Sequence, residues 1–468
     1  MRDRGGDGAH GHLTLSGATP GTRYGQGSAA RALWLARALL AGEWDERALV
    51  KRARGALHQR PPWLAELTRE VISAYPRAPT DRPRGLANRI NALLAAMPPS
   101  KQTEPTYPRP RRWHTQNPAM APGRWPVPPI TTTGELAGRL GCSDGELAWL
   151  ADARGLERTA QDQRLRNYHY ATIERPGRAP RVIERPKHRL KSAQRKVLHE
   201  ILDWIPAHDA AHGFTPGRSV VSHALVHSGS YVVVRIDLQD FFASIQAGRV
   251  YGIFRTAGYP EAVAHTLTAL ATNSVSADFW HSLPRPQDPA QLPAHHRLGR
   301  QLATAHLPQG APSSPALANL AAFGLDRCLA GLARSLEASY TRYADDLTFS
   351  GSQRLVRQAT LLRRAVADIA RDEGFSVNEA KSTLVTQAGR QRVCGVVVNR
   401  HPNLGRDEYD LLKAILHNAA LHKPASQNRE QVPDFRAHLL GRISWIAALN
   451  GARGARLRRQ FALIDWNR

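Results

Sequence analysis

The sequence predicts an α+β fold in which an antiparallel sheet presents clustered carboxylates, and two stretches predict it. Tyr340-Thr341-Arg342-Tyr343-Ala344-Asp345-Asp346-Leu347-Thr348-Phe349-Ser350-Gly351 sets apolar and aromatic residues on both sides of adjacent acids, the pattern of a β-hairpin with Ala344, Asp345 and Asp346 at its turn. The β-branched run Tyr231-Val232-Val233-Val234-Arg235-Ile236 ends in Asp237 and is followed directly by Leu238-Gln239-Asp240-Phe241-Phe242. If that strand pairs beside the hairpin, Asp237 faces Asp345 and Asp346 across one site. Adjacent carboxylates repel unless a cation neutralises them, and hard divalent ions such as Mg²⁺ take oxygen ligands while keeping positions open for phosphates. Three carboxylates can hold two such ions roughly 4 Å apart, the arrangement that activates an attacking hydroxyl in nucleotidyl transfer.

The totals bound the setting. A chain of 468 residues has room for about three domains. Lys and Arg number 64 against 39 Asp and Glu, a net charge of +25 that points to a polyanionic partner held less tightly as salt rises. Cys142, Cys328 and Cys394 are odd in number and widely spaced, which suggests neither a disulfide framework nor a zinc site and fits a reducing cytoplasm. With no apolar run of about 18 residues and no signal-peptide pattern, the expectation is a soluble cytoplasmic protein with no membrane partner.

In chain order, residues 1–26 are rich in Gly, Arg and Thr and read as a disordered lead. Residues 27–97 read as a helical domain, with Leu33, Trp34, Leu35, Leu39 and Leu40 before Gly42, then Leu64, Leu67 and Val71 at helical spacing. Its Trp34, Trp44 and Trp63 lie among apolar helical residues and are expected in the core rather than stacked on bases. Residues 98–130 are dense in proline, interleaved with Arg109, Arg111, Arg112, Trp113, Arg124 and Trp125, and read as an extended linker, either a solvated tether or a segment lying along nucleic acid.

From Thr131 a helix with Leu136, Leu140, Leu147 and Leu150 is expected, broken at Gly141. Tyr168–Ile173 and Pro180–Ile183 read as a basic hairpin around Pro176-Gly177 carrying Arg175, Arg178 and Arg181. The following helix buries Leu190, Ala193, Val197, Leu198 and Ile201 and turns Lys187, Lys191, Arg195 and Lys196 outward, a candidate phosphate-contacting face. Near the C-terminus, helices with Tyr409, Leu412, Ile415 and Leu416 and with Leu439, Leu440, Ile443, Ile446 and Leu449 form a small bundle flanked by Arg442, Arg453, Arg456, Arg458 and Arg459.

Five ordered blocks then carry a family resemblance: Ala211-His212-Gly213-Phe214-Thr215-Pro216-Gly217-Arg218-Ser219 with the strand to Asp237, Leu307-Pro308-Gln309-Gly310-Ala311-Pro312-Ser313-Ser314-Pro315, the Tyr-Ala-Asp-Asp hairpin, Gly374–Lys381, and Val393–Asn399. Together they resemble a bacterial reverse transcriptase of the retron type over about Thr131 to Trp466. A lone Tyr-X-Asp-Asp is a weak signal; five blocks in order are a specific one.

The resemblance implies a right-hand polymerase: fingers and palm over 131–400 and a helical thumb over 401–468. It implies RNA-directed DNA synthesis with two Mg²⁺ ions, Mn²⁺ serving as a substitute. Asp237, Asp345 and Asp346 are the implied metal ligands and catalytic acids, with the Leu238 carbonyl as an extra ligand. Phe242 corresponds to the aromatic gate against a 2′-hydroxyl, Gln309 to a contact with the incoming dNTP, Arg181 to the fingers arginine on the triphosphate, and Lys381 to a lysine near the leaving pyrophosphate. Two hallmarks are altered: Asn-Ala-X-X-His appears as His223-Ala224-Leu225-Val226-His227, and Val-Thr-Gly as Val393-Cys394-Gly395. By family position Arg218, His227, Val393, Cys394, Gly395 and Arg442 are implied to contact RNA or primer-template.

The implied partners are a cognate noncoding RNA, its branched RNA–DNA product, and a defence effector protein. The end at Arg468 leaves no expected RNase H or endonuclease domain. A group II intron or diversity-generating reverse transcriptase is the alternative, and a non-catalytic RNA-binding scaffold the alternative from another class. Three mutually repelling acids argue against the scaffold. Zinc at His223 and His227 lacks a third ligand. Asp240 reads as a helix cap before a further acid of the site, and Tyr343 as packing.

Overall fold

Val232, Val233, Val234 and Ile236 are almost wholly buried, and the strand they build is the centre of the molecule's largest sheet. In the computed structural model, which describes residues 26–57, 61–96, 118–153, 155–160, 162–175 and 178–466, the chain divides into two compact units at residues 121 and 122.

The smaller unit is four helices, Gln26–Leu40, Glu46–Ala56, Leu64–Ala74 and Pro83–Ala96. Their spacing buries Leu39, Leu49, Leu67, Leu86 and Ile90 in one core. Trp34 is part of it, and Trp44 and Trp63 pack against it. The Trp44 indole N–H donates to the Tyr75 carbonyl at 2.8 Å. The expected disordered lead, except for Gln26, lies outside the described residues, as do Arg109, Arg111, Arg112 and Trp113.

Among the described residues the strands lie in the larger unit: β1 (Tyr168–Arg175), β2 (Arg178–Pro186), β3 (Val232–Leu238), β4 (Ser339–Tyr343), β5 (Asp346–Gly351), β6 (Val377–Thr386), β7 (Arg392–Val393) and β8 (Val396–Val397). β1 and β2 pair as a hairpin, longer than expected at both ends, while its tip Pro176-Gly177 and the Arg175 and Arg178 side chains lie outside the described residues. The central sheet has the order β4-β5-β3-β6, antiparallel throughout. β7 and β8 form a small hairpin whose Val393 and Val396 pack with Val233 and Ala224.

Three differences from the sequence reading have simple causes. The last part of the expected linker is packed rather than extended free: Ile130 is buried, and the Tyr259 hydroxyl donates to the Pro128 carbonyl at 3.1 Å. Of the four cations expected outward at helix His188–Glu200, Lys191 and Arg195 stay exposed, while Lys196 Nζ reaches the Leu140 carbonyl at the C-terminus of helix Thr133–Leu140, and Lys187, just before the helix, reaches the Gln163 carbonyl with Nζ. The C-terminal bundle has a third helix, Gly451–Phe461, after Arg406–Leu421 and Phe435–Leu449. Among the described residues no single helix is long and apolar enough to cross a membrane.

Candidate active site

Strand alternation places the first acid. Arg235 and Asp237 leave one face of β3 while Ile236 is buried on the other. The β3–β5 register sets Asp237 opposite Asp346, and the Leu238 N–H donates to the Asp345 carbonyl at 2.9 Å, which fixes the strand end against the hairpin turn. β4 and β5 are joined by Ala344 and Asp345 alone, with Ala344 at φ 56°, so the acids stand at the tip. Gly213 lies behind that tip: a Cβ there would come within 2.7 Å of the Ala344 nitrogen.

A buried ion pair supports the turn from below. Arg342 and Asp326 are both fully buried and meet through Arg342 Nε and Nη2 at 2.8 and 2.7 Å, a bidentate pair. Arg342 Nη1 donates to the Ala344 carbonyl at 3.0 Å and to Asn319 at 3.1 Å, and the Tyr340 hydroxyl donates to Asp326 at 2.8 Å.

Asp237, Leu238 and Asp345 line a cleft of about 340 Å³ with Arg181, Phe242, Gln309 and Lys381. The cleft therefore brings two of the acids, Asp237 and Asp345, together with the four residues expected to bind the nucleotide, while Asp346 meets Asp237 through the β3–β5 register. Arg181 Nε donates to Gln309 Oε1 at 3.0 Å. Phe242 is half-buried, its ring 6.3 Å from that of Phe214. Lys381 Nζ donates to both oxygens of Asp237 at 2.9 Å. Arg235, which sequence reasoning did not single out, reaches Asp346 with Nη2 at 2.5 Å and Nε at 3.4 Å. Its period-2 spacing from Asp237 was the available signal.

Three carboxylates thus meet two cations. Burial and then the Asp237 charge push the Asp345 carboxyl above the usual carboxylate range. Burial does the same to Asp346, with Arg235 pulling the other way. Among the described residues no three His, Cys, Asp or Glu side chains are disposed as a closed metal cage. The donor chemistry nonetheless fits a hard divalent ion, since these are carboxylate oxygens, and both the burial that raises Asp345 and Asp346 and the Asp237 charge beside them are offset by a cation.

Several expected contacts are corrected. His227 is fully buried, with Nδ1 2.8 Å from the Ser350 hydroxyl and Nε2 2.7 Å from that of Thr341, so it ties its helix to the hairpin and cannot reach RNA. His223, one turn earlier on the same face, contacts Thr341 at 2.6 Å. Val393 is also fully buried, because β7 turns it into the core shared with Val233. Cys394 lies at φ 46° with Sγ 3.8 Å from Asp346 Oδ2, and burial followed by that carboxylate pushes its thiol up to about 12. It faces the acids, and Gly395 is the exposed member of the triplet.

Arg218 pairs with Asp209 at 3.3 Å, and Arg442 is half-buried on helix Phe435–Leu449. Asp240 occupies the position before helix Phe241–Ser244 but makes no side-chain cap; it pairs with Arg297 at 3.2 Å instead. Its φ of 46° is not the extended backbone from which a capping side chain reaches the next turn. Tyr343 packs between Phe214 and His223.

An antiparallel sheet with acids at a two-residue turn, beside a cleft walled by arginine, glutamine and an aromatic ring, defines a templated nucleotide polymerase site. Residues 173–410 match the family model described as reverse transcriptase (RNA-dependent DNA polymerase). The retron Mx65 reverse transcriptase of Myxococcus xanthus is 38% identical over 339 residues, 72% of this chain and 73% of that one. The retron Mx162 reverse transcriptase of the same organism is 36% identical over 65% of this chain and 62% of its own length. The retron Ec86 reverse transcriptase of Escherichia coli is 29% identical over 62% and 79%. The chain belongs to the bacterial retron-type reverse transcriptases. It is an RNA-directed DNA polymerase that takes an RNA template and makes a DNA product, and its family generally uses divalent metal ions.

Proposed function

We propose that the chain synthesises a short DNA from a cognate structured noncoding RNA, primed from a 2′-hydroxyl of that RNA so that the product is a branched RNA–DNA molecule. The observation that carries the polymerase part of this reading is the register that sets Asp237 opposite Asp346 beside Asp345. In this reading Asp237, Asp345, Asp346 and the Leu238 carbonyl hold two Mg²⁺ ions. When bound, such ions lower the pKa of the attacking hydroxyl and neutralise charge on the transferring phosphate. Lys381, bonded to Asp237, would share that carboxylate with the metal and would protonate the leaving pyrophosphate. Arg181 grips the triphosphate, Gln309 touches the nucleotide, and Phe242 presses on the sugar where a 2′-hydroxyl would stand.

The β1–β2 hairpin and its neighbouring helices serve as fingers, the central sheet as palm, and residues 401–468 as a thumb. The thumb's Arg442, Arg456, Arg458 and Arg459, together with Arg218 and Gly395, would contact the RNA or primer-template, whereas Arg453 holds Asn403 and Tyr409 inside the bundle. The protein acts in the cytoplasm in anti-phage defence alongside an effector protein, a role proposed from the retron resemblance.

The test is to express the chain with its flanking DNA, extract nucleic acid, and compare wild type with Asp345→Ala and Asp346→Ala on a denaturing gel before and after RNase. A short DNA whose mobility shifts on RNase treatment, absent from both variants, is the expected result. If polymerisation on a supplied template and primer persists but no such species forms in cells, the branched-product reading falls and the polymerase remains.

A further inference from the structure

Behind the nucleotide cleft lies a buried ion pair that the chemistry above does not use. Glu184 and His306 are both essentially inaccessible, and His306 Nε2 stands 2.8 Å from Glu184 Oε1. The other ring nitrogen, Nδ1, stands 2.7 Å from the Thr304 carbonyl oxygen. A carbonyl accepts only, and Glu184 accepts at its second oxygen as well, since Asn273 Nδ2 donates to Oε2 at 2.6 Å. Both ring nitrogens therefore face acceptors, and only an imidazolium donates to both. The balance of forces agrees. Burial disfavours the cation, but the Glu184 charge and hydrogen bond outweigh it and the His306 pKa is displaced upward.

This pair sits at a joint. His306 immediately precedes the Leu307–Gly310 turn that carries Gln309, while Glu184 follows Arg181 on β2 by three residues. The two segments are also joined by backbone: the Glu184 N–H donates to the Gln309 carbonyl at 2.9 Å, and Gly310, at φ 134°, passes so close that a Cβ would come within 2.6 Å of the Glu184 carbonyl oxygen. On the solvent side the same two segments meet again as Arg181 Nε to Gln309 Oε1.

We propose that His306, held as an imidazolium by Glu184, is a positioning residue that locks β2 to the Leu307–Gly310 turn and so sets the Arg181–Gln309 wall for the incoming nucleotide. The inference rests on the reading of Arg181 and Gln309 as nucleotide-binding residues. Its consequence is a nucleotide affinity that falls as pH rises, because deprotonation leaves one ring nitrogen with a lone pair against an acceptor. Among the described residues, Tyr168 and Tyr170 on β1 feel the Glu184 charge; Glu157 behind them accepts from the Tyr168 N–H, and the Arg166 charge acts on Tyr170. Burial pushes Tyr170 up to about 12 and Tyr168 well above its ordinary value, so both tyrosines stay neutral through the assay range.

The experiment measures KM for dNTP and kcat on an RNA template with a DNA primer, from about pH 6.5 to about pH 9, for the full chain and for His306→Gln, Arg181→Ala and Gln309→Ala. In the wild type KM is expected to rise about ten-fold with pH, the size of effect that leaving one buried ring nitrogen unsatisfied produces. In His306→Gln, KM is expected to be high at every pH with no such slope. Arg181→Ala, an exposed site that leaves folding undisturbed, is expected to raise KM and flatten the slope too, and it decides the matter if His306→Gln does not fold. A wild-type slope retained in either variant overturns the positioning role of His306. If Arg181→Ala and Gln309→Ala both leave KM unchanged, the nucleotide-binding reading of the wall is what fails.

Discussion

Asp345 concentrates the conflict between stability and catalysis in a single side chain. It sits half-buried beside Asp237 and Asp346, and its carboxyl is raised by burial first and by the Asp237 charge second. A carboxyl raised in the folded state binds its proton more tightly there than in the unfolded chain, so ionising it weakens the fold. Asp345→Asn keeps the shape and removes the charge. In the presence of a chelator at neutral pH it is expected to melt higher than wild type, with the gap closing as pH falls through the folded-state pKa. Polymerisation is expected to drop roughly 1,000-fold, about 4 kcal/mol of transition-state stabilisation. Calorimetry across pH with a parallel primer-extension assay checks both. A variant that melts lower than wild type at neutral pH would show that the Asp345 charge is not repelled in the fold.

At the scale of elements, one glycine packs against each of two elements that support the cleft. Gly213 abuts the catalytic turn at Ala344, and Gly310 abuts β2 at Glu184. A methyl group at Gly213 must displace backbone of the hairpin that carries Asp345 and Asp346, and one at Gly310 must displace the strand that carries Arg181. Gly310 is also held at a φ that side chains rarely adopt, a strain of about 1–3 kcal/mol for alanine. Steady-state kinetics should therefore divide them: Gly213→Ala lowers kcat, by about ten-fold or more, while Gly310→Ala chiefly raises KM for dNTP by a similar factor. Equal effects of both on kcat would mean that the cleft deforms as one body.

The β3 strand was legible from its β-branched run ending in Asp237, and β4 and β5 from the apolar and aromatic residues on both sides of the adjacent acids. The register between β3 and β5 followed from requiring the acids to meet. The partners of those acids were not legible. Arg235 reads as an ordinary strand residue until β5 lies beside it, and His227 and Val393 looked like surface residues because family position gives no burial. Asp326 and Arg342 are separated by a helix end and a strand, so only the folded chain shows that they pair.

At the scale of the whole molecule, all of the residues placed in the cleft, the sheet that positions them and the C-terminal bundle lie within residues 122–468, whereas the four N-terminal helices close a core of their own from residues of that segment alone. A unit whose apolar residues are satisfied internally folds without its neighbour. The larger unit also keeps Ile130 and the Pro128 carbonyl, so a cut after residue 121 leaves the segment that packs near Tyr259 intact. A protein spanning 122–468 is therefore expected to be soluble, to unfold cooperatively, and to extend a primer on a supplied RNA template within about threefold of the full chain at low salt. The supplied duplex isolates polymerisation from recognition of a particular RNA, so any remaining deficit that appears only with the cognate RNA assigns the helical unit to recognition. Loss of primer extension in a shortened chain that still melts cooperatively would instead make the N-terminal helices part of the polymerase itself.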